Sequence, residues 1–165
     1  MYLDIACRAC LILVLVAAAF GKLRSRTEFR AFAESLRPLG ADRAAGAVVA
    51  AEIATIAMLA LPSGWGYVAA VAMLATFAAG IARLVRSGQR VACNCFGTGG
   101  RELGRPHLIR NVLLILVAVA GLAADLLTEI RLDSVPVATI AAAGGAVMSL
   151  VFIRWDDLSF LLSPE

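Results

Sequence analysis

Cys93-Asn94-Cys95 carries the chemistry that the rest of this apolar chain lacks: two thiols one residue apart, followed by Phe96-Gly97-Thr98-Gly99-Gly100. A bond between residues i and i+2 needs its Cα atoms within about 7 Å and its Cβ vectors turned toward each other. A helix rotates about 200° over two residues and points such side chains apart. The pair therefore requires a turn, and Gly97, Gly99 and Gly100 give the backbone freedom to make one. A ring this small is strained when closed, and strained disulfides are oxidising and labile. It is also too short to remove much entropy from an unfolded chain. The pattern suits thiol–disulfide exchange better than bracing. Arg90 and Arg101 nearby favour a thiolate. Two other uses stay open: inert thiols, or a metal half-site in which His107 supplies a third ligand for zinc or copper. His107 is otherwise an interfacial residue opening a helix.

Cys7-Arg8-Ala9-Cys10 is a second pair. Spacing i, i+3 sets both sulfurs on one helical face. The motif reads as a secondary redox C-x-x-C, but it falls inside an apolar span, where cysteine is also a common small core residue. Glu52 and Arg8 are the ionisable residues set within spans. Charge at that depth is costly and marks a functional candidate. Measured from one face, Arg8 lies roughly 8 Å in and Glu52 roughly 15 Å, so an arginine can bridge the two. The expected pair either staples its two helices or serves a proton relay or quinone site. Asp125 is expected to be interfacial. No residue is assigned as the ligand of a resident metal; the Cys93, Cys95 and His107 set stays an alternative.

These residues need elements to hold them. The chain has 165 residues, of which 61% are hydrophobic, and a mean hydropathy of +0.88. That composition predicts one all-α integral membrane domain over 1–165, a bundle of four to five transmembrane helices. The apolar spans fall at about 3–21, 44–61, 65–85, 108–127 and 137–153. Alanine and glycine run through all of them and permit close helix approach. The cysteine loop covers 86–107. Between the first two spans, Ser25-Arg26-Thr27-Glu28 reads as a capping box. Phe29, Phe32, Leu36 and Leu39 then form one face of a short amphipathic helix over about 26–39, expected in the membrane interface. Trp65 and Tyr67 sit where interfacial aromatics belong. The first span is not read as a cleaved signal peptide: Asp4 precedes Arg8, and further spans follow.

Net charge is +3, and its placement says more than its sum. Five spans put the loop after span one, the cysteine loop and the C-terminus on one side. All of the 15 basic residues except Arg8 and Arg131 lie in or beside those segments. The positive-inside rule then makes the Cys93/Cys95 loop cytoplasmic, with the N-terminus outside, in a cell membrane. No basic stripe suggests nucleic acid, no glycine loop cradles phosphate, and a single histidine excludes any multi-histidine site.

The residues also resemble the MauE/DoxX-like redox-associated membrane proteins. The likeness is carried by Ala6-Cys7-Arg8, Phe20-Gly21-Lys22-Leu23, Phe29-Arg30-Ala31-Phe32, Glu52, Cys93-Asn94-Cys95-Phe96-Gly97 and His107-Leu108-Ile109-Arg110-Asn111. It covers about residues 5–125, and Cys10 lies outside it. The resemblance implies a small multi-pass protein working with thioredoxin-like partners, a family associated in the methylamine system with maturing a disulfide-rich dehydrogenase subunit. It implies Cys93 and Cys95 as the redox pair and marks Arg110 and Asn111 without a role. A partner oxidised outside the cytoplasm would want that pair facing outward, whereas the charge count turns it inward.

The expected function is thiol–disulfide exchange or electron transfer in the membrane, acting on a thioredoxin-like protein or a disulfide-bearing substrate. Quinone is the cofactor that chemistry could use. The alternative, from a different class, is a non-catalytic subunit that anchors or assembles a larger redox complex through small-residue spans. Metal handling through Cys93, Cys95 and His107 is the third.

Overall fold

The computed structural model describes residues 2–35, 41–86, 105–127 and 135–155. They form six helices: α1 (Tyr2–Leu23), α2 (Arg26–Ser35), α3 (Ala41–Ala60), α4 (Trp65–Arg86), α5 (Arg105–Leu127) and α6 (Val135–Ile153). All but α2 are long and apolar enough to cross a membrane. The chain is an all-α multi-pass membrane bundle, as composition requires. In a bilayer each backbone N–H and C=O needs a partner within its own segment, and helices provide it.

α1 is the hub. It packs against α6, α5, α3 and α2. One continuous core joins Cys7, Cys10, Leu11, Val14 and Leu15 of α1 to Leu59 of α3, Tyr67, Ala70 and Leu74 of α4, Leu114 and Ala118 of α5, and Phe152 of α6. Contacts at its two ends fix the directions. The start of α1 meets the end of α3 and the end of α5, while its own end meets the middle of α3. α1 therefore runs antiparallel to α3 and α5. At the far end of α6, Trp155 Nε1 donates to the Pro106 carbonyl at the start of α5 (3.0 Å). The termini of α4 and α5 that bound residues 87–104 lie at that same end.

α2 begins as its cap predicts. Glu28 N donates to Ser25 Oγ (3.1 Å) and Phe29 N to Ser25 O (3.1 Å). Its apolar face is seated on the protein rather than left for lipid: Phe32 and Ala33 are buried with Ala45 of α3, and Phe29 and Val48 pack against them. The reason is proximity. A two-residue link at Arg24-Ser25 folds α2 back over the end of α1, where the nearest apolar surface belongs to α3.

Small residues set the closest approaches. A Cβ on Gly145 of α6 would collide with the carbonyl oxygen of Ala6 in α1. One on Gly121 of α5 would enter the Tyr67 ring. Gly144, one position from Gly145, faces open space. Gly145→Val therefore has to separate two backbones, whereas Gly144→Val meets nothing. We expect the first to destabilise the bundle by about 1–3 kcal/mol and the second to stay within about 0.5 kcal/mol of the parent, read by unfolding in mixed micelles.

Candidate functional site

Two polar clusters interrupt the apolar interior, one at each end of α1. At its start, Arg8 uses all of its donor groups. Nε donates to Asp4 Oδ1 (2.9 Å), one turn back. Nη1 donates to the carbonyls of Leu59 (3.0 Å) and Leu61 (2.5 Å). Nη2 donates to Ser63 O (3.3 Å) and Asp125 Oδ1 (2.8 Å). The last carbonyls of a helix lack intrahelical donors, and this guanidinium caps those of α3. Tyr67 lies under it, with the Arg8 carbon 5.0 Å from the ring centroid. The Tyr67 hydroxyl donates toward Asp4, with Oδ1 at 2.7 Å and the carbonyl at 2.9 Å.

This cluster corrects three expectations. Arg8 is not the partner of Glu52: helix-end carbonyls and two carboxylates stand nearer, and their geometry matches a planar five-donor fork. Asp125 is not merely interfacial but closes an ion pair with Arg8. Tyr67 is fully buried, whereas Trp65 two residues earlier is 70% exposed. Two residues of helix turn about 200°, so only one of the pair can face lipid. With every donor occupied, this end is a fastener joining α1, α3, α4 and α5.

The opposite cluster holds the actual partner of Glu52. Lys22 Nζ donates to Glu52 Oε1 at 2.5 Å, and both residues are only 2% exposed. Counted from sequence, Lys22 belongs to the basic loop after span one. Instead, α2 folds over it, and its ammonium rests 5.1 Å from the Phe32 ring centroid. The four-carbon stem that usually lets lysine reach outward to water here reaches inward. Arg110 and Asn111 of α5 are also buried, and Arg110 lies near enough to repel the Lys22 ammonium. Among the described residues Glu52 Oε2 is buried without a hydrogen-bond partner. Thr55, one turn on, is satisfied by the Ala51 carbonyl (2.8 Å). Sequence reasoning found Glu52, Arg110 and Asn111 but missed Lys22. The available signal was its place beside Gly21, directly before a helix with an apolar face.

Cys7 and Cys10 are free thiols sealed in the core, Cys10 at 0% exposure. A thiol needs access to exchange, and neither has it here. His107 is half-buried in the first turn of α5. Among the described residues no three His, Cys, Asp or Glu side chains converge as a metal site. Cys93 and Cys95 lie outside the described residues.

Residues 1–124 match the family model described as Methylamine utilisation protein MauE, and the chain belongs to that family. The match takes in α1 to α4 and all of α5 but its last three residues, leaving α6 beyond it. No curated protein and no solved structure matches the chain.

Breaking a buried pair by removing one partner leaves a charge uncompensated, which costs about 3–5 kcal/mol. Lys22→Met alone should destabilise the bundle by about 3 kcal/mol. Lys22→Met combined with Glu52→Leu should cost less than Lys22→Met does, because both charges leave together. A double-mutant cycle in mixed micelles measures this. Glu52→Leu should show no such coupling to Arg8→Met, since Arg8 is engaged elsewhere.

Proposed function

We propose that this MauE-family chain is a membrane thiol–disulfide exchange protein, with Cys93 and Cys95 as the exchanging pair. The observation that carries the proposal is the Cys93-Asn94-Cys95 spacing itself, in a chain whose family is MauE. The burial of Cys7 and Cys10 supports it by leaving those two sulfurs to packing. The motif resemblance to the MauE/DoxX-like redox-associated proteins supports a disulfide-bearing or thioredoxin-like partner.

The exchange runs in two displacements. The thiolate of one cysteine attacks a sulfur of the partner disulfide, forming a mixed disulfide and expelling a partner thiolate. The neighbouring cysteine then attacks its bonded neighbour, closing Cys93–Cys95 and releasing the second partner thiolate. Two electrons pass to the partner, and both expelled thiolates pick up protons. In the opposite direction the partner dithiol is oxidised and Cys93/Cys95 is reduced. Reoxidation of the pair would then need a two-electron, two-proton acceptor, a chemistry that a quinone dissolved in the bilayer would supply. The positive-inside count supports a cytoplasmic loop, with the N-terminus outside.

Cys95→Ser in cells should retain a thiol-sensitive covalent adduct through Cys93, or Cys93→Ser should retain one through Cys95. Cys7→Ser with Cys10→Ser should leave the adduct unchanged. If neither single loop variant yields an adduct, exchange is ruled out. If Cys93→Ala/Cys95→Ala then supports full function in vivo, the chain is a non-catalytic membrane subunit instead. A membrane-impermeant thiol reagent, applied to intact cells and to inverted vesicles, reports which side the pair faces.

A further inference from the structure

The geometry points to Glu52 as a proton-exchange site within the membrane: it binds and releases a proton at Oε2 while Lys22 holds Oε1. Two independent observations lead there. Glu52 is buried mid-span, where a fixed carboxylate has no solvent to stabilise it. Only one of its oxygens is engaged, by Lys22 Nζ, while Oε2 accepts no hydrogen bond among the described residues. A carboxylate serving only as a staple would present both oxygens to donors, because an orphaned buried acceptor carries its full desolvation cost. In the Arg8 cluster Asp4 and Asp125 are likewise engaged through one oxygen, but both side chains are partly exposed, whereas Glu52 is sealed.

The surroundings favour a small occupant. Lys22, Glu52, Arg110 and Asn111 are each no more than 7% exposed. These side chains are sealed from solvent, and the occupant argued for Oε2 is a proton. The charged groups that face Glu52 are few. α1 brings Lys22, and α5 brings Arg110 beside it, with His107 half-buried one turn nearer the start of that helix. α2 presents Phe32 and Ala33 toward this region, and Arg83 and Arg86 of α4 are exposed. With Glu52 ionised, the Lys22–Glu52 pair is neutral. Protonating Glu52 leaves the Lys22 ammonium without its counter-charge, and ionising it leaves Oε2 with no donor among the described residues, so neither state is fully satisfied. The site's physiological use rests on the exchange reading above. Each thiol that ionises to attack gives up one proton, and each expelled partner thiolate takes one. Glu52 accepts the first and returns it for the second, leaving the proton balance closed.

The test uses the full chain in nanodiscs and two readouts. The first is infrared absorption by the carboxylic-acid C=O stretch during a pH titration, which needs no partner. A titrating band that is lost in Glu52→Gln, shifts in frequency in Glu52→Asp and moves to higher pH in Lys22→Gln is the expected result. No band that Glu52→Gln removes, at any pH where the protein stays folded, overturns the inference. The second is the rate of reduction of a model disulfide substrate. Glu52→Gln is expected to slow it by about 100-fold and to flatten its pH profile. An unchanged rate and profile in Glu52→Gln sinks the catalytic use while adduct trapping through Cys93 or Cys95 still stands. Should Glu52→Gln fail to fold, Glu52→Asp and Lys22→Gln carry both readouts.

Discussion

A cation inside a bilayer must be neutralised where it stands, and α1 carries two of them, Arg8 near its start and Lys22 near its end. The partners they require come from other helices, so neutralising these charges also places those helices. Arg8 recruits the closing turn of α3, the bend before α4 and the final turns of α5. Lys22 recruits the middle of α3 and is sealed by α2. Lipid tails are as apolar as leucine, so there is little hydrophobic drive to choose one helix arrangement over another. Two ionic anchors roughly 20 Å apart along one helix supply the choice that oily surfaces cannot.

Close packing then completes what the anchors begin. Gly121 lets the Tyr67 ring lie against α5, and that ring must sit there for its hydroxyl to meet Asp4. Asp4 in turn holds Arg8. The small residue, the aromatic and the ion pair form one dependent chain rather than three separate contributions. Gly145 plays the corresponding part for α6, which comes near enough to α1 to touch the Ala6 carbonyl. α6 lies beyond the MauE match, yet it shares the hub helix with everything inside the match.

The all-α membrane bundle was legible because hydropathy over about 20 residues is a strong signal, and five helices are long and apolar enough to cross a membrane; of the amphipathic face expected over 26–39, Leu36 and Leu39 lie outside the described residues. The cap at Ser25 was legible for a similar reason: it is local. Polar partners were not. Pairing Arg8 with Glu52 followed from comparing depths, but depth ignores which way a side chain points and what stands closer. Lys22 was hidden by a convention that assigns a base at the end of an apolar run to the loop. Only the fold of α2 over that end turns it inward. Tyr67 was hidden likewise, since an aromatic near a span end looks interfacial until its helical phase is known.

The two ends of α1 differ in a way that bears on where chemistry belongs. At the Arg8 end every donor of the guanidinium is occupied and the Tyr67 hydroxyl is satisfied, so a proton or electron arriving there finds nothing to change. At the Lys22 end a buried carboxylate pairs with Lys22 through one oxygen and, among the described residues, keeps the other uncommitted. That is also the end at which α4 stops and α5 starts, and so the end to which residues 87–104 are tethered. Buried polar networks are costly when incomplete. Among the described residues the Arg8 network has every guanidinium donor engaged, whereas the Lys22 network keeps one carboxylate oxygen without a donor. An uncommitted carboxylate oxygen at the end where α4 stops and α5 starts suits the exchange proposed for this chain, because thiol chemistry moves a proton with every sulfur it ionises.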